Sequence, residues 1–183
     1  KPNLTRELEA IAANGFGGVE ITTIYGAKGY EERFIPFLSP QYVEMLAHVG
    51  AEAKRLGLGV DMATGTGWPF GAPWVGPQDI ELRVAFDPEG KLAPRATGFK
   101  VKRSAPGGEG PVLNPYSAAA MTRYLEPFTK ALASLPRGTF NSQFHDSFEY
   151  QANWATEVPA KFLALHGYDL RDHVAELAGK GEP

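Results

Sequence analysis

The chain has 183 residues, a formal net charge of −3, 43% hydrophobic residues and no cysteine. A balance this close to neutral gives no hint of a nucleic-acid or anionic-membrane partner, so neither is expected, and no apolar run reaches the roughly 18–20 residues of a membrane span. Without cysteine, disulfide staples and thiolate metal sites are excluded too. The first residues, KPNLTRELEA, contain neither an initiator Met nor the apolar core of a signal peptide. They read as a chain cut from a longer polypeptide, or as a mature form.

Taken in order, Leu4, Leu8, Ile11 and Ala12 recur at helical spacing, with Asn3 or Thr5 able to cap the start and Gly15 after the end. FGGVEITTIYG predicts a short strand from Gly18 to about Thr22. LSPQYVEMLAHVGAEAKRLGLG predicts the clearest helix, capped by Ser39, with Pro40 in its first turn and Gly57 at its end. LGVDMAT follows as a second strand. Residues 75–115 read as a β insertion: a hairpin turning at Asp87–Gly90, then an extended stretch from Gly98 to Arg103. The alternation resumes with a helix from Ser117 to about Leu135, a strand in GTFNSQFHD, and a final helix in two parts, Val158–His166 and Leu170–Leu177.

Strands alternating with helices predict a parallel α/β sheet, either a closed barrel or an open doubly wound sheet. Glu20, Asp61 and the HDSFE cluster fall at the carboxyl ends of successive strands, the edge that carries chemistry in both. A complete TIM (β/α)8 barrel needs roughly 250 residues. The expectation is therefore a single partial barrel domain over 1–183, about half a barrel with a β-hairpin insertion.

Several residues in this frame are chemically suggestive, each with a plainer alternative. Asp146 and Glu149 are two carboxylates close together near a strand end, as general acid catalysis on a glycosidic oxygen requires; Phe144, Phe148 and Trp154 would desolvate them. The alternative is a helix-capping Asp and a surface Glu. Glu20, among apolar strand residues, either meets a cation or points into a polar pocket with Tyr25. Asp61 is a second pocket acid or an acceptor for loop amides. Trp68 and Trp74, in TGTGWPFGAPW, offer indole faces on which sugars stack, or they pack the loop.

The glycines of that loop miss the G-x-G-x-x-G spacing and lack Gly-Lys-Ser/Thr, so they let the backbone approach a ligand or take positive φ rather than bind a nucleotide. Among the histidines only His145, beside Asp146, stands near the chemistry; none has metal-ligand spacing. No G-x-S-x-G elbow is present. Lys100, Lys102 and Arg103 read as a solvated hairpin face.

GFGGVEITTIYGAKGY, the long LSPQYVEML…GTGWPFGAPWV segment, KVKRSAPGGEGPVLNP and FHDSFE, in this order, resemble the catalytic barrel of the family 106 glycoside hydrolases, the α-L-rhamnosidases. The resemblance runs from Leu4 to about Leu170. It implies βα units 2–4 of the barrel, with the remaining strands in the rest of a large parent polypeptide. It also implies an exported bacterial enzyme, extracellular or periplasmic, that removes terminal α-L-rhamnose from polysaccharides or glycosides with inversion. Calcium would be the cofactor, with Glu20, Asp146 and Glu149 as possible oxygen ligands. Glu149 at the end of the fourth barrel strand would be the general acid, Asp146 would tune it or bind a hydroxyl, and the base would lie beyond this chain. His145 stands where the family pattern leads one to expect Asn, and YQANW replaces a Gly-containing turn. The alternatives are a barrel that binds carbohydrate without cleaving it, or a fragment inactive on its own.

Overall fold

The computed structural model describes residues 1–145 and 148–180. Its centre is a parallel three-stranded sheet in the order β1 (Gly18–Ile21), β2 (Gly59–Ala63) and β5 (Ser142–Phe144). Helix α1 (Pro2–Ala13) precedes β1, α2 (Pro40–Leu56) connects β1 to β2, and α3 (Ala118–Leu132) lies between β2 and β5. Two further helices, α4 (Val158–His166) and the single turn α5 (Val174–Leu177), close the chain, joined by a 3-10 turn over Leu170–His173. The protein is thus α/β, with sequential parallel strands joined through helices.

The punctuation explains these boundaries. The Ser39 hydroxyl accepts the Tyr42 N–H at 3.2 Å and Pro40 presets the first turn of α2. At its other end Lys54 and Arg55 complement the helix dipole, and Gly57 stops the helix with φ +73°. Ser117 caps α3 in the same way, through the Ala120 N–H. That helix ends at Leu132 rather than Leu135, because the residue before Pro136 is disfavoured in the α region. Helix α1 departs from expectation at its start. Lys1 is its N-cap residue and Pro2 its first helical residue, so neither Asn3 nor Thr5 caps it. The Thr5 hydroxyl instead meets His48 Nε2 at 2.9 Å and ties α1 to α2.

Two apolar clusters hold these elements. Leu8 of α1, Val49 and Ala53 of α2, Leu58 and Val60 form one, with Val19 and Ile21 packed against it. Val19 pairs in register with Val60, so both valines face the helices, and the intervening residues of β1 and β2 turn to the opposite face. The second cluster joins Phe37, Ala72, Val75, Ala105 and Leu113 to Ala120, Tyr124 and Phe128 of α3.

The β insertion contains the expected hairpin. Strand β3 (Leu82–Arg83) pairs antiparallel with β4 (Arg95–Ala96), and the Gly90 N–H closes the turn on the Asp87 carbonyl at 3.0 Å. It is not an independent flap, because Val75, Val112 and Leu113 sink into the core beside α3. Glycines of these stretches serve this packing, and Gly67 and Gly107 take the expected positive φ. Gly71 bridges to Val112, and a Cβ on Gly110 would collide with the Ala72 backbone.

Two buried carboxylates, unflagged by sequence pattern, organise the insertion. Asp79, 3% exposed, receives the Arg123 guanidinium, with Nε 3.0 Å from both carboxylate oxygens. Glu81, 1% exposed, accepts from the backbone N–H groups of Gln151 (2.5 Å) and Ala152 (3.0 Å) and from the Thr97 hydroxyl (2.7 Å). The segment following Glu149 is thereby docked on β3, where Asn153 and Trp154 donate to the Leu82 carbonyl at 3.1 and 3.2 Å. Replacing Glu81 with Ala strands three donors in the interior. The expected cost is about 3–5 kcal/mol by urea denaturation, with Glu81→Gln losing roughly half as much; a loss of under about 1 kcal/mol for the alanine variant rejects this role.

Candidate functional site

Because Val19 and Val60 face the helices, their neighbours Glu20 and Asp61 lie side by side on the open face of the sheet. Their register continues into Ser142. The Thr22 hydroxyl, two residues beyond Glu20, donates to its Oε1 at 2.5 Å. Glu20 and Asp61 line a polar depression of about 380 Å³ with Gly18, Gly59 and Asn141. Asp61 lies within its strand instead of at the tip, as a pocket wall and not as a loop acceptor. Glu20 shares this depression with Asp61 and not with Tyr25. An apolar groove of about 430 Å³ on the helix side, between Ile21, Tyr42 and Val49, contains none of the candidate carboxylates.

Tyr25 belongs to a second group on the rim, built from three loops. Trp68 and Lys102 form an antiparallel bridge, the Lys102 N–H donating to the Trp68 carbonyl at 2.9 Å and the Trp68 N–H to the Lys102 carbonyl at 3.2 Å. Gly67 permits this approach: its φ is +127°, and a Cβ there would run into the backbone of Lys102 and Arg103. The Tyr25 N–H donates to the Arg103 carbonyl at 3.1 Å. The Arg103 guanidinium carbon then lies 5.7 Å from the Tyr25 ring centroid and 5.6 Å from that of Trp68. The Lys102 ammonium forms an ion pair with Glu149. Lys102 and Arg103 are exposed, as a solvated hairpin face would be, but they also make specific contacts. They gather Tyr25, Trp68 and Glu149, and their alternation hid this role by resembling an exposed strand.

The other sequence candidates fall elsewhere. His145 stacks on Phe70 with centroids 4.1 Å apart and meets the Tyr150 ring edge-on at 5.8 Å. Trp74 takes the packing alternative: its ring stacks near Phe37 and Tyr124, and its indole N–H donates to the Tyr124 carbonyl at 3.1 Å. It is not brought to the rim. Asp146 lies outside the described residues. Nor do the expected aromatics enclose Glu149. Phe148 is 69% exposed, Trp154 is buried on β3, and the Glu149 side chain itself is 42% exposed.

Calcium takes six to eight oxygen ligands. The Glu20–Asp61 row supplies two carboxylates and nearby hydroxyls, and among the described residues no group of three or more acidic or imidazole ligands occurs. Asp146, another of the expected ligands, lies outside the described residues. Chemically, the open face of the sheet offers two carboxylates, and the rim loops offer aromatic faces and a salt-bridged carboxylate.

No family model matches the chain, and no curated protein matches it significantly. Among solved structures it is similar to a rhamnosidase from Novosphingobium sp. PP1Y, with 24% identity and a TM-score of 0.41. The matched region covers 48% of this chain and 8% of that one. A score this low does not define a shared fold.

Tyr150, whose ring meets that of His145 edge-on, has a raised pKa. Burial, with a contribution from the nearby Glu81 charge, pushes its hydroxyl up to about 12. The folded form thus holds this proton to higher pH than the unfolded chain, whose tyrosines titrate near ~10. The stability this supplies is complete below that pH and is lost between about 10 and 12. For a partly buried ring the loss is about 1–2 kcal/mol. Urea midpoints measured across that window should fall less steeply for Tyr150→Phe than for the parent, and parallel curves reject the assignment.

Proposed function

We propose that the chain is part of a carbohydrate-active (β/α)8 barrel whose sugar site lies along the carboxyl edge of the sheet. The observation that carries this reading is the gathering of Tyr25, Trp68 and Glu149 by Lys102 and Arg103. Aromatic faces stack on the C–H faces of sugars, while carboxylates and guanidinium groups take hydroxyls and anions.

Within this reading, the family resemblance of the sequence supports hydrolysis of terminal α-L-rhamnosides with inversion, Glu149 being the general acid. The ligand-free arrangement imposes a condition on that role. A carboxyl that donates a proton must part from an ammonium and lose water, so a sugar covering Trp68 and Tyr25 has to displace Lys102 from Glu149. The remainder of the barrel and the opposing base belong to the parent polypeptide, where the enzyme is exported.

A second reading has one observation in its favour. The Lys102–Glu149 ion pair suits a fixed binding surface, in which the barrel holds carbohydrate and leaves it intact. Activity separates the two. In the parent polypeptide, Glu149→Gln should lower hydrolysis of alkyl α-L-rhamnosides about 10²–10⁴-fold while sparing activated aryl rhamnosides, whose leaving groups need little protonation. Equal losses on both remove Glu149 from the acid role, and binding without turnover by the unaltered polypeptide establishes the second reading.

A further inference from the structure

The rim cations differ in what they leave available. Lys102 is engaged by Glu149, whereas among the described residues no carboxylate lies within ion-pair distance of Arg103. The Arg103 guanidinium is exposed and rests against two rings, one of which, Tyr25, is itself 53% exposed. The backbone adds to the argument: Arg103 has φ +53°, a left-handed conformation that costs a non-glycine residue about 1 kcal/mol. The Trp68–Lys102 bridge and the Tyr25 N–H bond to its carbonyl hold it there. The outcome is an exposed guanidinium whose backbone is held in place and which rests against two aromatic rings.

We infer that the Arg103 clamp binds the carboxylate of an acidic sugar, a hexuronate, at the position next to the one facing Glu149. This rests on the carbohydrate reading given above and specifies its substrate class. The chemistry is matched on both counts. A guanidinium presents paired N–H donors in a plane that fits a carboxylate bidentately. The Tyr25 and Trp68 rings supply faces for the pyranose that carries it. Lys102 is paired with Glu149, whereas among the described residues no carboxylate pairs with Arg103. An anionic sugar is favoured over a neutral one without any change in the protein's overall negative charge.

The probes are a hexuronate trisaccharide and its carboxyl-reduced counterpart, which differ only in the carboxylates, titrated calorimetrically into the parent polypeptide. The uronate should bind about 10-fold more tightly at low salt, and the preference should shrink as ionic strength rises. Arg103→Gln should bring uronate affinity down to that of the neutral sugar and leave the neutral sugar unchanged. Arg103→Lys, which keeps the charge and loses the planar fork, should fall between the two. Equal binding of both sugars, or a preference that survives Arg103→Gln, overturns the inference while leaving the carbohydrate reading intact. A preference abolished by Lys102→Gln and not by Arg103→Gln overturns it as well. Failure of both sugars to bind rejects the carbohydrate reading and this inference with it. Arg103 is exposed, so thermal unfolding of each variant should match the parent, and a variant that does not match is replaced by Tyr25→Ala, which removes a ring and keeps the charge. Its uronate-over-neutral ratio should persist while both affinities fall; a lost ratio overturns the inference.

Discussion

The arrangement of the rim depends on a carboxylate that never reaches it. Glu81 is buried and satisfied by neutral donors from two other segments, the hydroxyl of Thr97 and the amides of Gln151 and Ala152. A charge in the interior is tolerable when hydrogen bonds replace its lost hydration. Here those bonds also fix position. They anchor the chain immediately after Glu149, while the Leu82 carbonyl and the Asn153 side chain align it along β3. Glu149 can thus meet Lys102 only because the backbone two residues later is held from below.

The second determinant is the period of the strand. Adjacent parallel strands in register place Glu20 beside Asp61 and Val19 beside Val60, so one alternation separates a helix-covered apolar face from an open polar one. Strands shorter than six residues suffice because α1 and α2 carry the apolar burial on one side. The rim is then free to be made of loops, and it is those loops, not the strand tips, that bring the aromatic rings and cations together.

Much of the framework is legible in the sequence because it is local. Ser39, Pro40 and Gly57 announce α2 through hydrogen bonds and dihedral angles within one turn. The Asp87–Gly90 turn and the three strands are readable for the same reason. The site is less legible because its contacts are distant along the chain. Nothing near Glu81 in sequence reveals that residues seventy positions on will donate to it. Lys102 and Arg103 look like any basic pair until Tyr25, Trp68 and Glu149 arrive from three other segments. Trp74 and Trp68 are six positions apart in one loop and had the same two roles open to them. Only the proximity of α3, whose Tyr124 carbonyl takes the Trp74 indole proton, separates them.

The tight contacts between the tryptophan loop and the 102–112 segment have a consequence for how such a site diversifies. Gly67 fits against Lys102 and Arg103, Gly108 against Thr66, and Gly110 against Ala72. Two loops interlocked through their main chains cannot lengthen or shorten separately, since a single inserted residue in one would slide every contact of the pair out of alignment. Related sequences sharing this interlock should therefore keep both loop lengths and change their ligand preference by exchanging side chains at the rim. The loops behave as one inheritable unit, with the freedom of a surface in the residues they display and the rigidity of a core in the path they follow.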